Sequence, residues 1–88
     1  MHIELYTQPG CGYCTHAKRL LKSRDLGFTE YDVYDHPEKL QEMRSRTRER
    51  TFPQIFVNDR HIGGFEELLK LEQLDQLNQL PIRASAPQ

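Results

Sequence analysis

The sequence is poor in cysteine, with two in 88 residues, both inside Gln8-Pro9-Gly10-Cys11-Gly12-Tyr13-Cys14. That scarcity excludes the multi-disulfide framework of small secreted domains. It also argues against a monomeric structural zinc site, because such a site needs four ligands and one Cys-x-x-Cys supplies two, leaving four scattered histidines to complete it. Charge of either sign is not in excess: 12 Lys+Arg face 13 Asp+Glu, so no field favours nucleic acid or an anionic membrane surface. Long apolar runs are missing too. Met1 to Gly10 has no basic segment followed by an apolar stretch, and no run is long enough to span a bilayer, so the expectation is a cytosolic protein with neither membrane nor nucleic-acid partner. In a reducing compartment a bridge spanning two intervening residues constrains little chain. Transient redox chemistry or metal binding is then the better use of the two thiols.

What is present reads as one domain over residues 1–80, followed by a flexible tail over 81–88. Ile3 to Thr7 is rich in β-formers and stopped by Pro9-Gly10, a strand running into a turn. Cys14, Ala17, Leu20 and Leu21 recur at helical spacing from Tyr13 to Leu26, with Gly27 as the C-terminal cap. Phe28 to Tyr34 reads as a second strand, and a strand, helix and strand in sequence imply a right-handed parallel crossover. Asp35, Pro37 and Glu38 carry the chemistry of a helix start, with Leu40 and Met43 as its apolar face. That helix ends within Arg44 to Arg50, a dense basic stretch that is either a solvated helix end or the anion-attracting rim of a site. Gln54 to Val57 and Arg60 to Ile62 form a hairpin around Asn58-Asp59, and Gly63-Gly64 ends it. Leucines at 68, 69, 71, 74, 77 and 80 then mark a core-facing helix from Phe65 to Leu80, stopped by Pro81. The order is βαβαββα, an α/β domain.

A Cys-x-x-Cys beside a β-α-β pattern is a thioredoxin-like redox signature. Cys11 falls where the helix begins, and unpaired N–H groups and the dipole there stabilise a thiolate. Cys11 is therefore the predicted nucleophile. Cys14, three residues on and on the same helix face, is placed to attack any mixed disulfide formed at Cys11. His16 is the one histidine near the thiols in sequence, and its reading as an exposed helix residue outweighs a role as proton carrier. Gly63-Gly64, ending a strand before a helix, lets a ligand approach the backbone and leaves helix N–H groups for a carboxylate; plain turn chemistry is the alternative.

Tyr6-Thr7, Cys11-Gly12-Tyr13-Cys14 with Ala17-Lys18, Thr51-Phe52-Pro53-Gln54-Ile55-Phe56, and His61-Ile62-Gly63-Gly64-Phe65-Glu66-Glu67-Leu68 together resemble the dithiol glutaredoxins, from Ile3 to about Leu80. The resemblance implies a thioredoxin fold with a four-stranded mixed sheet flanked by helices. It also implies a monomeric enzyme reducing protein disulfides and glutathione mixed disulfides, with glutathione as co-substrate and disulfide-containing or glutathionylated proteins as partners. Catalysis falls to Cys11 and Cys14. Pro53 becomes a cis proline facing the cysteines, and Phe52 the residue pairing main chain to main chain with glutathione. Gly64, Phe65 and Glu66 match the segment for its γ-glutamyl end, and Tyr13 and Thr51 line the same groove. Three positions depart from the family pattern. Gln8 stands where a lysine is frequent, so helix-end effects and the Arg44 to Arg50 stretch must do more. Gly12 replaces the commoner proline, and relatives with glycine there can hold a 2Fe–2S cluster between two subunits, with one cysteine of each, here Cys11, and two glutathione thiols. Phe65-Glu66 replaces a frequent Cys-Asp. The alternatives kept open are such a cluster-binding dimer and a redoxin fed by thioredoxin reductase.

Overall fold

The computed structural model describes residues 2–74. Its elements follow the expected order: β1 (Ile3–Thr7), α1 (Gly12–Ser23), β2 (Thr29–Asp32), α2 (Pro37–Arg46), β3 (Gln54–Val57), β4 (Arg60–Gly63) and α3 (Phe65–Gln73). The strands form one mixed sheet in the order β2-β1-β3-β4. β1 pairs parallel with β2, Glu4 opposite Thr29 and Thr7 opposite Asp32, and antiparallel with β3, Ile3 opposite Val57 and Tyr6 opposite Gln54.

The two central strands are buried along their whole length, so the period-two alternation of side chains feeds two cores. Ile3, Leu5, Ile55 and Val57 point to one face and pack with Ala17 and Leu21 of α1 and Leu68 of α3. Tyr6 and Phe56 point to the other and pack with Val33 and Met43, the latter from α2. Between β3 and β4, Asn58 (φ 49°) and Asp59 (φ 68°) are both left-handed, the demand of a type I′ hairpin turn.

Three expectations are corrected. Gly27 does not cap α1: the helix ends at Arg24, and Asp25, at φ 61°, makes the left-handed step instead. Asp is one of the few side-chain-bearing residues that tolerate this region. Asp35 does not cap α2: His36 holds the cap position without a side-chain bond, and Asp32 Oδ1 accepts the N–H groups of Tyr34 and Asp35 two and three residues on. An Asx turn has taken the role that the sequence pattern gave to a helix cap. The leucine stripe reaches the core at Leu68 and Leu71, but Leu74 is 65% exposed. Leu77, Leu80, Pro81 and the tail over 81–88 lie outside the described residues.

Candidate active site

β1 delivers the chain to Gly10, whose φ of 73° turns it so that Cys11 becomes the N-cap of α1. Cys11 Sγ accepts the N–H of Cys14 at 3.1 Å, as a capping oxygen would. No acidic side chain occupies the first turn of α1 to oppose negative charge there. The two cysteines are joined as a disulfide with Cα atoms 5.3 Å apart. Cys11 is partly exposed, whereas Cys14 is buried. Access thus separates an outer sulfur, open to a substrate, from an inner one that reaches only its neighbour.

The Phe52–Pro53 peptide bond is cis, as the resemblance implied, and Phe52 O lies 3.7 Å from Cys11 Sγ. From there a groove of about 920 Å³ runs toward the head of α3. Tyr13, Thr51, Phe52, Gly64, Phe65 and Glu66 all line it; Pro53 is buried beneath, its carbonyl 3.3 Å from where a Cβ on Gly64 would stand. The structure therefore brings the sequence-selected residues together. Neither cysteine lines that groove itself: both open on a smaller polar cavity of about 340 Å³ with Lys18, Glu30 and Asp32, and Gln8 borders the two. Tyr13, 61% exposed, stacks on Phe65 with ring centroids 5.8 Å apart, and His16 touches the same ring at 5.9 Å. Phe65, in place of the frequent cysteine, thus ties the helix carrying the thiols to the helix ending the groove.

At the head of α3 the donor set is smaller than the sequence suggests, because the Gly64 N–H is donated to Glu67 Oε1 at 2.8 Å. Among the described residues no hydrogen bond engages the N–H groups of Phe65, Glu66 or Phe52. Gly63 holds φ 127°, and a Cβ there would sit 2.7 Å from Glu67 Cγ and Oε1. Gly63→Ala is expected to cost about 1–3 kcal/mol in backbone strain and to displace the Glu67 cap. Gly27→Ala, where nothing stands within 4 Å, is the control and should shift stability by no more than about 0.5 kcal/mol. Equal melting temperatures for the two variants would refute this.

The basic stretch divides between its two readings and adds a third. Arg50 lines the groove. Arg46 is half-buried and structural: Nη1 donates to Tyr6 OH at 2.7 Å and Nη2 to Glu4 Oε1 at 3.0 Å, with the guanidinium 3.9 Å from the Phe56 ring centroid. Tyr6 OH donates to Glu42, and Tyr31 OH to Glu4 Oε2 at 2.9 Å. Burial alone would raise the Glu4 carboxyl, but hydrogen bonds from Arg46 and Tyr31 and the charge of Arg46 hold it below its ordinary value. Burial and the bond to Glu42 push the Tyr6 phenol above the usual tyrosine range. The sequence reading missed this network, and also Gln54 and His61, which line the groove beside Thr51. The available signal was a carboxylate or amide side chain inside a central strand: Glu4 in β1 and Gln54 in β3.

Among the described residues no group of three or more His, Cys, Asp or Glu could hold a metal ion. A Cβ on Gly12 would meet nothing within 4 Å, so packing does not require glycine there. A cluster bound at Cys11 would have to draw its remaining ligands from outside this chain.

A β2-β1-β3-β4 sheet with a Cys11–Cys14 disulfide whose outer cysteine caps the first helix, and a cis proline packed beside it, defines a thioredoxin-fold redox protein. The glutaredoxin family model matches residues 3–62. A glutaredoxin of Neisseria meningitidis serogroup A is 43% identical over 72 residues, spanning 81% of this chain and 85% of the relative. Glutaredoxin 3 of Escherichia coli K12 is 38% identical over 79 residues, 90% of this chain and 95% of that one. The solution structure of glutaredoxin from Brucella melitensis superposes with a TM-score of 0.77 at 41% identity, covering 91% of this chain and 87% of that one. The chain belongs to the glutaredoxin family and is a redox oxidoreductase with a Cys11/Cys14 pair.

Proposed function

We propose that the protein reduces glutathione mixed disulfides and protein disulfides at the expense of glutathione, as a cytoplasmic monomer. The observation that carries this reading is the groove that starts beside Cys11 at Phe52 and ends at the head of α3. Its shape suits an extended peptide whose sulfur must reach Cys11. The main chain of Phe52, its N–H uncommitted, pairs with the tripeptide, the N–H groups of Phe65 and Glu66 receive its γ-glutamyl carboxylate, and the Glu66 carboxylate stands near its amine. Arg50 and Gln8, both on the groove wall, take over at the glycyl end the role of the absent lysine. Tyr13 and Thr51 border the path.

In this reading the Cys11 thiolate attacks the glutathione sulfur of the mixed disulfide. The S–S bond breaks, the protein thiolate leaves and takes up a proton, and glutathione stays bonded to Cys11. A second glutathione thiolate then attacks that sulfur, releasing glutathione disulfide and restoring Cys11. With a protein disulfide as substrate, Cys14 attacks the mixed disulfide, closing the Cys11–Cys14 bridge for glutathione to reopen.

The test is which reductant regenerates the oxidised protein. Glutathione with glutathione reductase and NADPH is expected to support continuous turnover, and thioredoxin reductase with NADPH alone is not. Regeneration by thioredoxin reductase without glutathione would overturn the reading in favour of a reductase-fed redoxin. A coloured dimer after anaerobic purification with glutathione would add the cluster-holding role.

A further inference from the structure

We propose that His61 is a positioning residue of the groove: through the buried amide of Gln54 it holds the Thr51 carbonyl inward and so presents the main chain of Phe52 to the ligand. This rests on the glutathione reading above. Gln54 opens β3 and is 1% exposed, yet every polar atom of its side chain is engaged. Its amide nitrogen donates to Thr51 O at 2.9 Å and to Thr51 Oγ1 at 3.2 Å. Its Oε1 lies 2.6 Å from His61 Nε2.

The direction of this relay follows from what each atom can do. A carbonyl oxygen only accepts, so the NH₂ side of Gln54 must face Thr51 and the oxygen must face His61. His61 Nε2 therefore carries the proton. The imidazole is oriented a second time by the Phe56 ring, at 4.9 Å between centroids, on which Arg46 also packs. The register shift at Ile55/Phe56 is what brings His61 opposite Phe56.

Thr51 needs such a hold. It lies before the strand, is exposed, and among the described residues no backbone hydrogen bond engages it. With its carbonyl tied inward by Gln54, and the next carbonyl, of Phe52, 3.7 Å from Cys11 Sγ, the peptide units on both sides of Phe52 are set. A ligand pairing with Phe52 then meets a preformed edge rather than one it must order. Losing the His61 donor leaves Gln54 Oε1 buried without a partner, and the amide can turn away from Thr51.

His61→Phe keeps a ring on Phe56 and deletes the donor, His61→Gln restores an N–H, and Gln54→Met removes the relay at nearly the same volume. In steady-state turnover of a cysteine–glutathione mixed disulfide, His61→Phe and Gln54→Met should each raise KM about tenfold, the worth of one such hydrogen bond, with kcat nearly unchanged. His61→Gln should bring KM back to within about threefold, and the His61→Phe/Gln54→Met pair should be no worse than Gln54→Met alone. An unchanged KM in His61→Phe, equal losses in kcat, or failure of His61→Gln to restore KM would overturn the relay. Nitrogen NMR of the imidazole separates this from failure of the glutathione reading: if the wild-type protein rejects glutathione substrates, a neutral His61 protonated at Nε2 still supports the relay, and one protonated at Nδ1 alone overturns it.

Discussion

Cys11→Ser is expected to abolish turnover of a glutathione mixed disulfide, on the order of 10³-fold or more, whereas Cys14→Ser should stay within about tenfold of the wild type. The asymmetry follows from placement. Cys11 is partly exposed, caps α1 and receives the N–H of Cys14 on its sulfur, so it is the atom where negative charge is stabilised and a substrate can arrive. A serine hydroxyl at the same cap accepts that N–H equally well but is not ionised near neutrality, so the fold should survive while the nucleophile is lost. Cys14 is 2% exposed and reaches only the sulfur at Cys11, which the monothiol route does not require. Reduction of a protein disulfide gives the complementary result: Cys14→Ser should accumulate a stable mixed disulfide with the target, visible on a non-reducing gel. Mixed-disulfide turnover that persists in Cys11→Ser would overturn the assignment of the nucleophile, whereas its loss in Cys14→Ser would show that the dithiol route is obligatory.

Much of this site was legible because its chemistry is local. Cys11 needs a helix start, Gly10 a left-handed turn before it, and Asn58-Asp59 a tight hairpin, and each requirement is met within a few residues of sequence. The order of strands and helices was legible for the same reason, since the β-forming run Ile3 to Thr7, the helical spacing within Tyr13 to Leu26 and the apolar run Ile55 to Val57 each mark one element locally. What escaped depends on pairing across the sheet. Glu4, Tyr31, Glu42 and Arg46 meet only after β1, β2 and α2 have packed, and no spacing in the sequence marks Arg46 apart from Arg44 or Arg48. His61 reaches Gln54 through the β3–β4 hairpin and a register shift, so a histidine that looked idle in sequence stands in the groove wall. The helix ends failed for a third reason. At Asp25 and Asp32 a short acidic side chain competes with glycine and with a capping residue for the same local geometry, and composition does not rank them.

Arg46→Met is expected to destabilise the protein by about 2–4 kcal/mol at pH 7, and by less as the solution is acidified. Methionine keeps much of the packing against Phe56 but leaves the Glu4 carboxylate, whose side chain is 9% exposed, with Tyr31 and the more distant His2 as its remaining partners. In the wild-type fold, burial works against the charged form of Glu4, and the bonds from Arg46 and Tyr31 outweigh it, holding the carboxyl below its ordinary value of 4.5. A depressed folded-state value contributes stability that is fully present above pH 4.5 and lost as pH falls below it. Glu42, lowered chiefly by its bond from Tyr6, adds in the same direction, discounted because its side chain is 39% exposed. Without Arg46 the burial effect on Glu4 prevails, its value rises, and protonation relieves the variant where it harms the wild type. Urea unfolding at pH 7 and at pH 4 should therefore show the gap between the two proteins narrowing in acid. Arg46→Lys separates charge from geometry: an ammonium keeps the attraction to Glu4 but cannot make the fork to Glu4 and Tyr6 or stack as a plane on Phe56, so it should recover only part of the loss. A gap of equal size at both pH values would show that Arg46 stabilises the fold by packing, with its ion pair contributing nothing measurable.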